Sequence, residues 1–199
     1  MTNSSTGQGE DVVMSLVMAV ICTDGIVVSG DFRRSRYVKD TETGETKFEY
    51  YDDQHKIFRT SQNRIVGTTG GITLQTGESI KDALNQMLQI TDDMKLSIQE
   101  EFGFLISVIG DEKISLIEAG IENGKGIVFI YTPTSGIEIG TTGGAIGATD
   151  ELKKHEKGFD LKIKEATTTE VKSVLSEYNE LTALSDPTVS RGCEFLTIT

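Results

Sequence analysis

Two short apolar segments joined by an Asp-Gly turn constrain the fold of this chain more than any other feature. Residues 16–22 and 26–28 are rich in β-branched side chains, and Thr-Asp-Gly separates them at 23–25. An Asp-Gly pair between such segments is the strongest short-range signal for a β-hairpin. We therefore predict a buried antiparallel hairpin whose outer ends, Ser15 and Asp31, lie side by side. A hydroxyl and a carboxylate are thereby expected to lie close together.

The remainder of the chain alternates between strand and helix patterns. Apolar residues at helical spacing over 80–88 predict one helix, and the segment 94–102 is expected to continue as a second helix. A Thr167-x-x-Glu170 capping box predicts the start of the last helix. Strands are expected within 36–51 (a protruding hairpin) and at 55–59, 63–67, 104–109, 113–119, 127–131, 137–139 and 194–199, with another helix near Thr149. This order is typical of an α+β domain.

The composition argues against several classes of partner. The chain has 199 residues, enough for one domain with a sizeable core, and its formal net charge is -12. Nucleic acids and anionic membranes favour clusters of Lys and Arg, so we expect neither as a partner. No Cys/His/Asp spacing indicates a metal site, and His55 and His155 stand isolated. Neither Gly-Thr-Thr-Gly-Gly run, at 67–71 and 140–144, is followed by Gly-Lys-Ser/Thr, so we expect no nucleotide or other cofactor.

The first residues and the cysteines indicate a cytoplasmic protein. Residues 1–11 are small, polar and acidic, and no basic segment precedes the apolar run that follows them. No apolar stretch is long enough to cross a bilayer. Cys22 and Cys193 fall in predicted strands and are expected to be core thiols in a reducing compartment.

The first hairpin resembles the start of a mature proteasome β-subunit and of the bacterial HslV peptidase. The shared pattern is a hydroxyl residue, a hydrophobic strand, a Gly-centred turn, a second strand and then Asp31, Arg33 and Ser35. When residues 25–31 are aligned with the family, Ser15 falls without a gap on the threonine nucleophile. The resemblance covers nearly all of 15–199 and implies a four-layer αββα sandwich, with helices outside two antiparallel sheets, as in N-terminal nucleophile hydrolases.

The resemblance implies a role for four residues near this hairpin. Removal of residues 1–14 as a propeptide would free the amine of Ser15, which then serves as the base for its own hydroxyl. Lys56, held by Asp31, would lower the pKa of the hydroxyl and the amine. The Gly67 N–H would form the oxyanion hole. By composition alone, residues 1–14 are an ordinary tail, Lys56 is a surface lysine and Gly67 belongs to a strand-to-helix turn.

Two more catalytic residues are implied by the segment before the last strand. Asp186 matches the family's aspartate, and Ser190 matches its serine when one inserted residue is allowed. Asp-Pro after a helix is also a common stop signal. For substrate binding, the resemblance implies that Ser35 and Gly67 pair with an extended peptide backbone, with Arg33 in the same motif.

Three departures from the family pattern affect the expected chemistry. The nucleophile is serine rather than threonine, and Met14 stands where the residue before the cut is usually glycine. The family's serine after the second Gly-rich run has no clean match, because Ala148, Thr149 and Asp150 are alternatives that depend on register.

The sequence thus supports a main hypothesis and two alternatives. The first is a peptidase that acts on peptides or unfolded proteins as a ring-shaped homo-oligomer, and the sequence leaves open whether an AAA+ unfoldase acts with it. The second is a catalytically silent scaffold subunit that retains its N-terminal tail, as proteasome α-type subunits do. The third is a small-amide hydrolase.

Overall fold

The computed structural model describes residues 15–39, 43–71, 74, 76, 78–109 and 113–199. Eleven strands and four helices are formed by these residues. The strands are β1 (Leu16–Cys22), β2 (Gly25–Asp31), β3 (Arg33–Lys39), β4 (Thr46–Asp52), β5 (Ile57–Arg59), β6 (Ile65–Gly70), β7 (Ile114–Glu122), β8 (Lys125–Thr132), β9 (Gly136–Gly140), β10 (Gly143–Gly147) and β11 (Cys193–Ile198). The helices are α1 (Ile80–Met94), α2 (Ile98–Ile109), α3 (Asp150–Ile163) and α4 (Thr168–Ser185).

The predicted hairpin is confirmed as β1 and β2. Their antiparallel register pairs Cys22 with Gly25 at the turn and Val17 with Gly30 near the open end. Alternate residues of β1 enter two different apolar clusters: Val17 and Ala19 face one, whereas Leu16, Met18 and Val20 face the other. Burial on both faces explains why this strand is apolar throughout rather than alternating.

Three antiparallel sheets organise the strands. A four-stranded sheet has the order β10-β1-β2-β11, and a five-stranded sheet has the order β5-β6-β7-β8-β9. The strands β3 and β4 form a two-stranded ribbon of their own, which confirms the predicted protruding hairpin. The ribbon leaves the four-stranded sheet after β2 and returns to the five-stranded sheet before β5.

Three apolar clusters hold these elements together. One joins β1 and β2 to the five-stranded sheet through residues such as Val17, Val28, Ile65 and Ile117. A second packs α1 and α2 against the five-stranded sheet, and a third packs α4 and the end of α3 against the four-stranded sheet. No helix formed by the described residues is long and apolar enough to cross a membrane.

The four-layer αββα sandwich expected from the resemblance is wrong. The structure contains 34% helix and 40% strand, so strand predominates and the outer layers are not the mostly helical ones expected. The strands also form three sheets where the sandwich has two. The physical reason for the third sheet is local, because β3 and β4 pair with each other over their whole length, from Arg33 with Asp52 to Lys39 with Thr46.

Two further expectations about single elements are corrected. Residues 104–109, expected as a strand, are the second half of α2, where Phe102, Leu105 and Ile109 point into the core at helical spacing. A short apolar run does not distinguish a buried strand from a buried helix. The strand β10 was not predicted, since its sequence Gly-Gly-Ala-Ile-Gly has three glycines and only one of the β-branched residues that mark strands. The Thr167–Glu170 capping box is confirmed at the start of α4.

Candidate functional site

The open end of the β1–β2 hairpin forms a buried polar centre around Asp31. This residue is fully buried at the last position of β2. Its Oδ1 atom accepts hydrogen bonds from Leu16 N at 2.9 Å and from Lys56 Nζ at 3.0 Å. Its Oδ2 atom accepts from Arg33 N at 2.8 Å and from Ser190 N at 3.0 Å. Four donors from four segments of the chain therefore converge on one carboxylate.

Lys56 lies just before β5 and is 3% exposed. Its ammonium group binds Asp31 and also donates to Arg33 O, while its backbone N–H donates to Glu194 Oε1 at 3.0 Å. Burial lowers the pKa of the Lys56 ammonium, and the Asp31 carboxylate opposes that shift. The sequence-based pairing of Lys56 with Asp31 therefore exists as a buried ion pair.

Ser15 precedes Leu16, whose N–H binds Asp31, and the Ser15 hydroxyl is unsatisfied. The residue is fully buried, and its Oγ atom has no hydrogen-bond partner among the described residues. Its carbonyl accepts from Ala148 N at 2.8 Å, and the Ala148 side chain carries no hydroxyl. Gly147 has a φ of +90°, and a Cβ there would lie 1.7 Å from Ser15 O. Only glycine therefore fits against the backbone of Ser15 at this point.

Ser190 contributes its backbone to the centre rather than a free hydroxyl. Its N–H binds Asp31, while its Oγ accepts from Phe32 N at 2.9 Å and donates to Gly192 O at 2.7 Å. The buried Asn179 of α4 holds the same loop by donating to the carbonyls of Ser190 and Gly192, at 2.7 and 3.4 Å. Asn179 was not predicted, because an Asn within an amphipathic helix gives no sequence signal for such a contact.

Gly67 does not lie at the site. It occupies the middle of β6, between Ile57 and Ile117 of the neighbouring strands. A Cβ at Gly67 would lie 2.7 Å from Val17 Cγ1 and 2.9 Å from Ile117 Cγ2, deep in the cluster between the sheets. Gly67 is therefore buried between neighbouring strands, a position that does not favour its predicted roles in the oxyanion hole and in substrate binding.

Asp186 also lies apart from the polar centre. It ends α4, and its Oδ1 atom accepts from Thr188 N at 2.8 Å and from the Thr188 hydroxyl. Its own N–H donates to Thr182 O. These contacts fit the helix-stop interpretation, and no described contact joins Asp186 to Ser15, Asp31 or Lys56.

A cleft of about 210 Å³ opens beside Lys56. It lies between the start of β5, the end of β6 and the start of α1, and Lys56, Phe58, Thr69, Gly70 and Gly71 are among its lining residues. A Cβ on Gly147 would lie 1.7 Å from Ser15 O and 3.1 Å from Thr69 Cγ2, so Thr69 and the Ser15 carbonyl are close to each other. One wall of the cleft, formed by Thr69, is therefore next to the backbone of Ser15. Of the polar centre, Lys56 lines the cleft, whereas Ser15 and Asp31 are not among its lining residues.

The two predicted substrate-binding residues of β3 lie at the base of the ribbon. Arg33 accepts from Lys56 through its carbonyl, and its guanidinium binds both Asp52 oxygens at 2.7 and 2.9 Å and Pro187 O at 2.9 Å. Ser35 is 1% exposed, and its Oγ has no partner among the described residues. The side chain of Arg33 therefore ties the ribbon to the loop before β11.

His55 is not isolated, contrary to its appearance in the sequence. Its Nδ1 lies 2.8 Å from Glu194 Oε2, and its ring meets the edge of Phe32. Because a carboxylate can only accept, Nδ1 carries the proton in this contact. Within the described part of the chain, no three His, Cys, Asp or Glu side chains cluster closely enough to hold a metal ion.

No known family model matches this chain, and no curated protein is similar to it at a significant level. The functional interpretation therefore depends on the geometry of the site. Ser15, Asp31, Lys56 and the backbones of Arg33 and Ser190 are brought together by the fold, whereas Gly67 and Asp186 are not. Residues 1–14, the expected propeptide, lie outside the described residues.

Proposed function

We propose that this protein hydrolyses peptide bonds with the Ser15 hydroxyl as nucleophile, after cleavage of the chain between Met14 and Ser15. The observation that carries the proposal is a buried, unpartnered Ser15 Oγ in the residue before Leu16, whose N–H binds the Asp31 carboxylate of the buried Lys56–Asp31 ion pair. A buried hydroxyl without a partner is uncommon in a folded protein and calls for a functional explanation. The adjacent cleft offers the space that a substrate side chain needs.

The chemistry follows from the groups that the site holds. Cleavage before Ser15 creates an α-amine, whose reference pKa is about 7.7–8.0, within reach of Oγ. That amine takes the Oγ proton, Oγ attacks the substrate carbonyl, and the amine returns the proton to the leaving nitrogen. A water molecule then hydrolyses the ester. The Lys56 ammonium favours the deprotonated hydroxyl and the neutral amine through its positive field.

Gly70 is a better candidate than Gly67 for an oxyanion donor. It lines the cleft at the end of β6, and its φ is +110°. A Cβ at this position would lie 2.2 Å from Lys113 O, so the residue must be glycine. A backbone N–H at the rim of the cleft acts on a substrate carbonyl that Gly67 cannot reach.

The test is peptide turnover by the purified full chain and three variants. We expect hydrolysis of unstructured peptides by the wild type, loss of turnover in Ser15→Ala and Lys56→Ala, and retained turnover in Ser15→Thr. Serine and threonine both supply the hydroxyl, so Ser15→Thr is the matched control. Unchanged turnover in Lys56→Ala would exclude the mechanism, and unchanged turnover in Ser15→Ala would exclude the nucleophile.

A silent scaffold subunit is the second candidate, and the complete burial of Ser15 favours it. A chain that keeps residues 1–14 has no free amine at Ser15 and no base for the hydroxyl. The buried Lys56–Asp31 pair argues for activity, because burying two charges is costly and a scaffold has no use for them at this place. The absence of turnover together with an intact N-terminus in the assembled protein would favour the scaffold.

The proposal includes assembly into a ring-shaped homo-oligomer that admits peptides or unfolded proteins. Multi-angle light scattering of the purified chain gives its subunit number directly. A monomeric mass across the micromolar range would contradict the ring and leave the chemistry at Ser15 to be judged by turnover alone. Stimulation of protein degradation by an ATP-driven unfoldase is a separate test, in which peptide turnover without the unfoldase is the control.

A further inference from the structure

The two-stranded β3–β4 ribbon presents an aromatic surface that the proposed hydrolysis does not use. The register pairs Ser35 with Tyr50 and Arg33 with Asp52, which puts these four residues on one face of the ribbon together with Phe48. The rings of Phe48 and Tyr50 stack with their centroids 6.0 Å apart, and the Arg33 guanidinium carbon lies 5.4 Å from the Tyr50 centroid. We call Phe48, Tyr50 and Arg33 the aromatic face.

The aromatic face is accessible and continuous with the candidate site. Phe48 is 42% exposed and Tyr50 is 40% exposed, so both rings present apolar surface to solvent. The ribbon begins two residues after Asp31 and ends four residues before Lys56, and Gln54 N donates to Phe32 O across its base at 2.9 Å. Arg33 joins the two, because its backbone binds Asp31 and Lys56 while its guanidinium lies over the Tyr50 ring.

We infer that the aromatic face docks a segment of unfolded polypeptide substrate whose scissile bond lies at Ser15. This inference rests on the proposed function for the identity of the occupant. The Ser35 Oγ, on the same face and opposite Tyr50, is buried and has no partner among the described residues. Aromatic rings bind apolar side chains of many sequences, as a surface for unfolded chains must.

The Arg33–Asp52 ion pair gives no charge preference at the base of this face. The Arg33 guanidinium is neutralised by two hydrogen bonds to Asp52, so this pair favours neither sign of charge on the occupant. The face selects apolar side chains in an extended segment, which an unfolded protein exposes and a folded protein mostly buries. Short peptides that fill only the cleft do not reach it.

The exposed aromatic area is too small for a stable contact with a second copy of the chain. With roughly 200 Å² for a whole aromatic side chain, about 40% exposure leaves on the order of 80 Å² for each ring, against roughly 800 Å² per partner in a stable interface. Weak, transient binding is what a passing substrate requires. A second copy is therefore an outcome of the test rather than the occupant we infer.

The experiment compares Phe48→Ser/Tyr50→Ser with Tyr51→Ser. Tyr51 is 38% exposed but lies on the opposite face, paired with Arg34, so it is a control matched in residue type and exposure. The probe is fluorescein-labelled, reduced and carboxymethylated α-lactalbumin, a permanently unfolded protein. Its Kd is measured by fluorescence anisotropy on the full chain carrying Ser15→Ala, and its KM and kcat are measured on the full chain with Ser15 in place.

We expect the double variant to raise Kd and KM on the order of tenfold, with kcat within about twofold, because truncating aromatic contacts of this kind weakens binding rather than chemistry. Tyr51→Ser leaves all three constants within about twofold. An unchanged Kd in the double variant, or an equal effect of Tyr51→Ser, overturns the inference. A fall in kcat with an unchanged KM also overturns it, since the ribbon would then support the site instead of docking substrate.

The inference and the proposed function fail separately. If the wild-type chain hydrolyses nothing but Phe48→Ser/Tyr50→Ser still weakens binding of the unfolded protein, docking is supported and the peptidase proposal fails. If hydrolysis occurs without any dependence on the aromatic face, the reverse holds. A loss of oligomer mass in the double variant by light scattering, with unchanged Kd, shows that a second copy covers the face and overturns the inference.

Discussion

Asp31 is the residue on which the candidate site depends. Its carboxylate is fully buried, yet each oxygen accepts two hydrogen bonds, and one of them faces the Lys56 ammonium at 3.0 Å. Such saturation lets a charge remain inside the protein, because desolvation is offset by hydrogen bonds and by the opposite charge. The same carboxylate fixes the positions of Lys56 and of the backbone next to Ser15.

Asp31→Asn and Asp186→Asn are expected to differ sharply, although both aspartates were predicted to be catalytic. Asp31→Asn leaves the Lys56 ammonium buried without its counter-ion, which costs about 3–5 kcal/mol, and peptide turnover should fall by at least about 100-fold. Asp186→Asn alters one turn at the end of α4 and should cost about 1 kcal/mol. Urea unfolding and peptide kinetics measure both. Equal loss of turnover in the two variants would indicate that Asp186 has the catalytic role predicted from the sequence.

Gly67→Ala is expected to destabilise the protein through packing. The new Cβ lies 2.7 Å from Val17 Cγ1 and 2.9 Å from Ile117 Cγ2, which forces side chains of the inter-sheet cluster to move and costs about 1–3 kcal/mol. The matched control is Gly103→Ala on α2, where nothing lies within 4 Å of the new Cβ. There we expect a gain of about 0.5–1 kcal/mol. A stable Gly67→Ala that loses turnover would contradict the position of Gly67 in the core.

At the scale of elements, the sequence predicted the structures that depend on residues close to one another in the chain. The β1–β2 hairpin, the ribbon and the capping box of α4 each depend on residues close in sequence, and all three are confirmed. Residues 104–109 were mispredicted because a short apolar run suits helix and strand alike. The contact of Asn179 with the loop before β11 could not be predicted, since it depends on how α4 is placed against that loop.

A buried cluster of charged side chains joins α2 to the five-stranded sheet. It could not be predicted from the sequence either, since it depends on how distant segments are placed against each other. Glu101 of α2 and Glu118 of β7 are both fully buried, and the guanidinium of Arg64 lies next to both carboxyl groups. Arg64 bonds to Glu101 and lies 3.8 Å from Glu118 Oε1, whose two oxygens have no hydrogen-bond partner among the described residues. Burial, and then the charge of Glu101, raises the pKa of Glu118 well above its usual 4.5.

This raised pKa gives a pH dependence with a definite sign. The folded state holds the Glu118 proton more tightly than the unfolded state, so its stabilising effect is complete below about pH 4.5 and is lost as the pH rises through the raised pKa. Glu118→Gln mimics the protonated form. We expect its Tm to exceed that of the wild type most at alkaline pH and to match it at acidic pH. The exposed Glu180→Gln is the control, and a pH-independent difference for Glu118→Gln would contradict the assignment.

For the whole molecule, the order of events at the N-terminus decides whether the site works. Ser15 follows 14 residues in the full sequence, and the proposed base exists only once they are removed. The Ser15 hydroxyl lies next to the Met14–Ser15 peptide bond by covalent geometry. We propose that it attacks the Met14 carbonyl, which moves the acyl group from nitrogen to oxygen while the hydroxyl proton passes to the nitrogen. Water then hydrolyses the ester, which leaves a carboxylate on Met14 and a free amine on Ser15.

We therefore expect the purified wild-type chain to begin at Ser15 and the Ser15→Ala chain to keep its original N-terminus. Intact-mass measurement and N-terminal sequencing identify the first residue of each chain. The Lys56→Ala chain should be cut more slowly, because it lacks the ammonium group whose positive field favours the deprotonated Ser15 hydroxyl. Ser15→Thr keeps the hydroxyl and should be cut like the wild type. If Ser15→Ala loses residues 1–14 at the wild-type rate, a separate protease makes the cut, and self-processing is excluded while the peptidase proposal stands. If neither chain is cut after prolonged incubation, Ser15 has no free amine, and the scaffold alternative is the one to pursue.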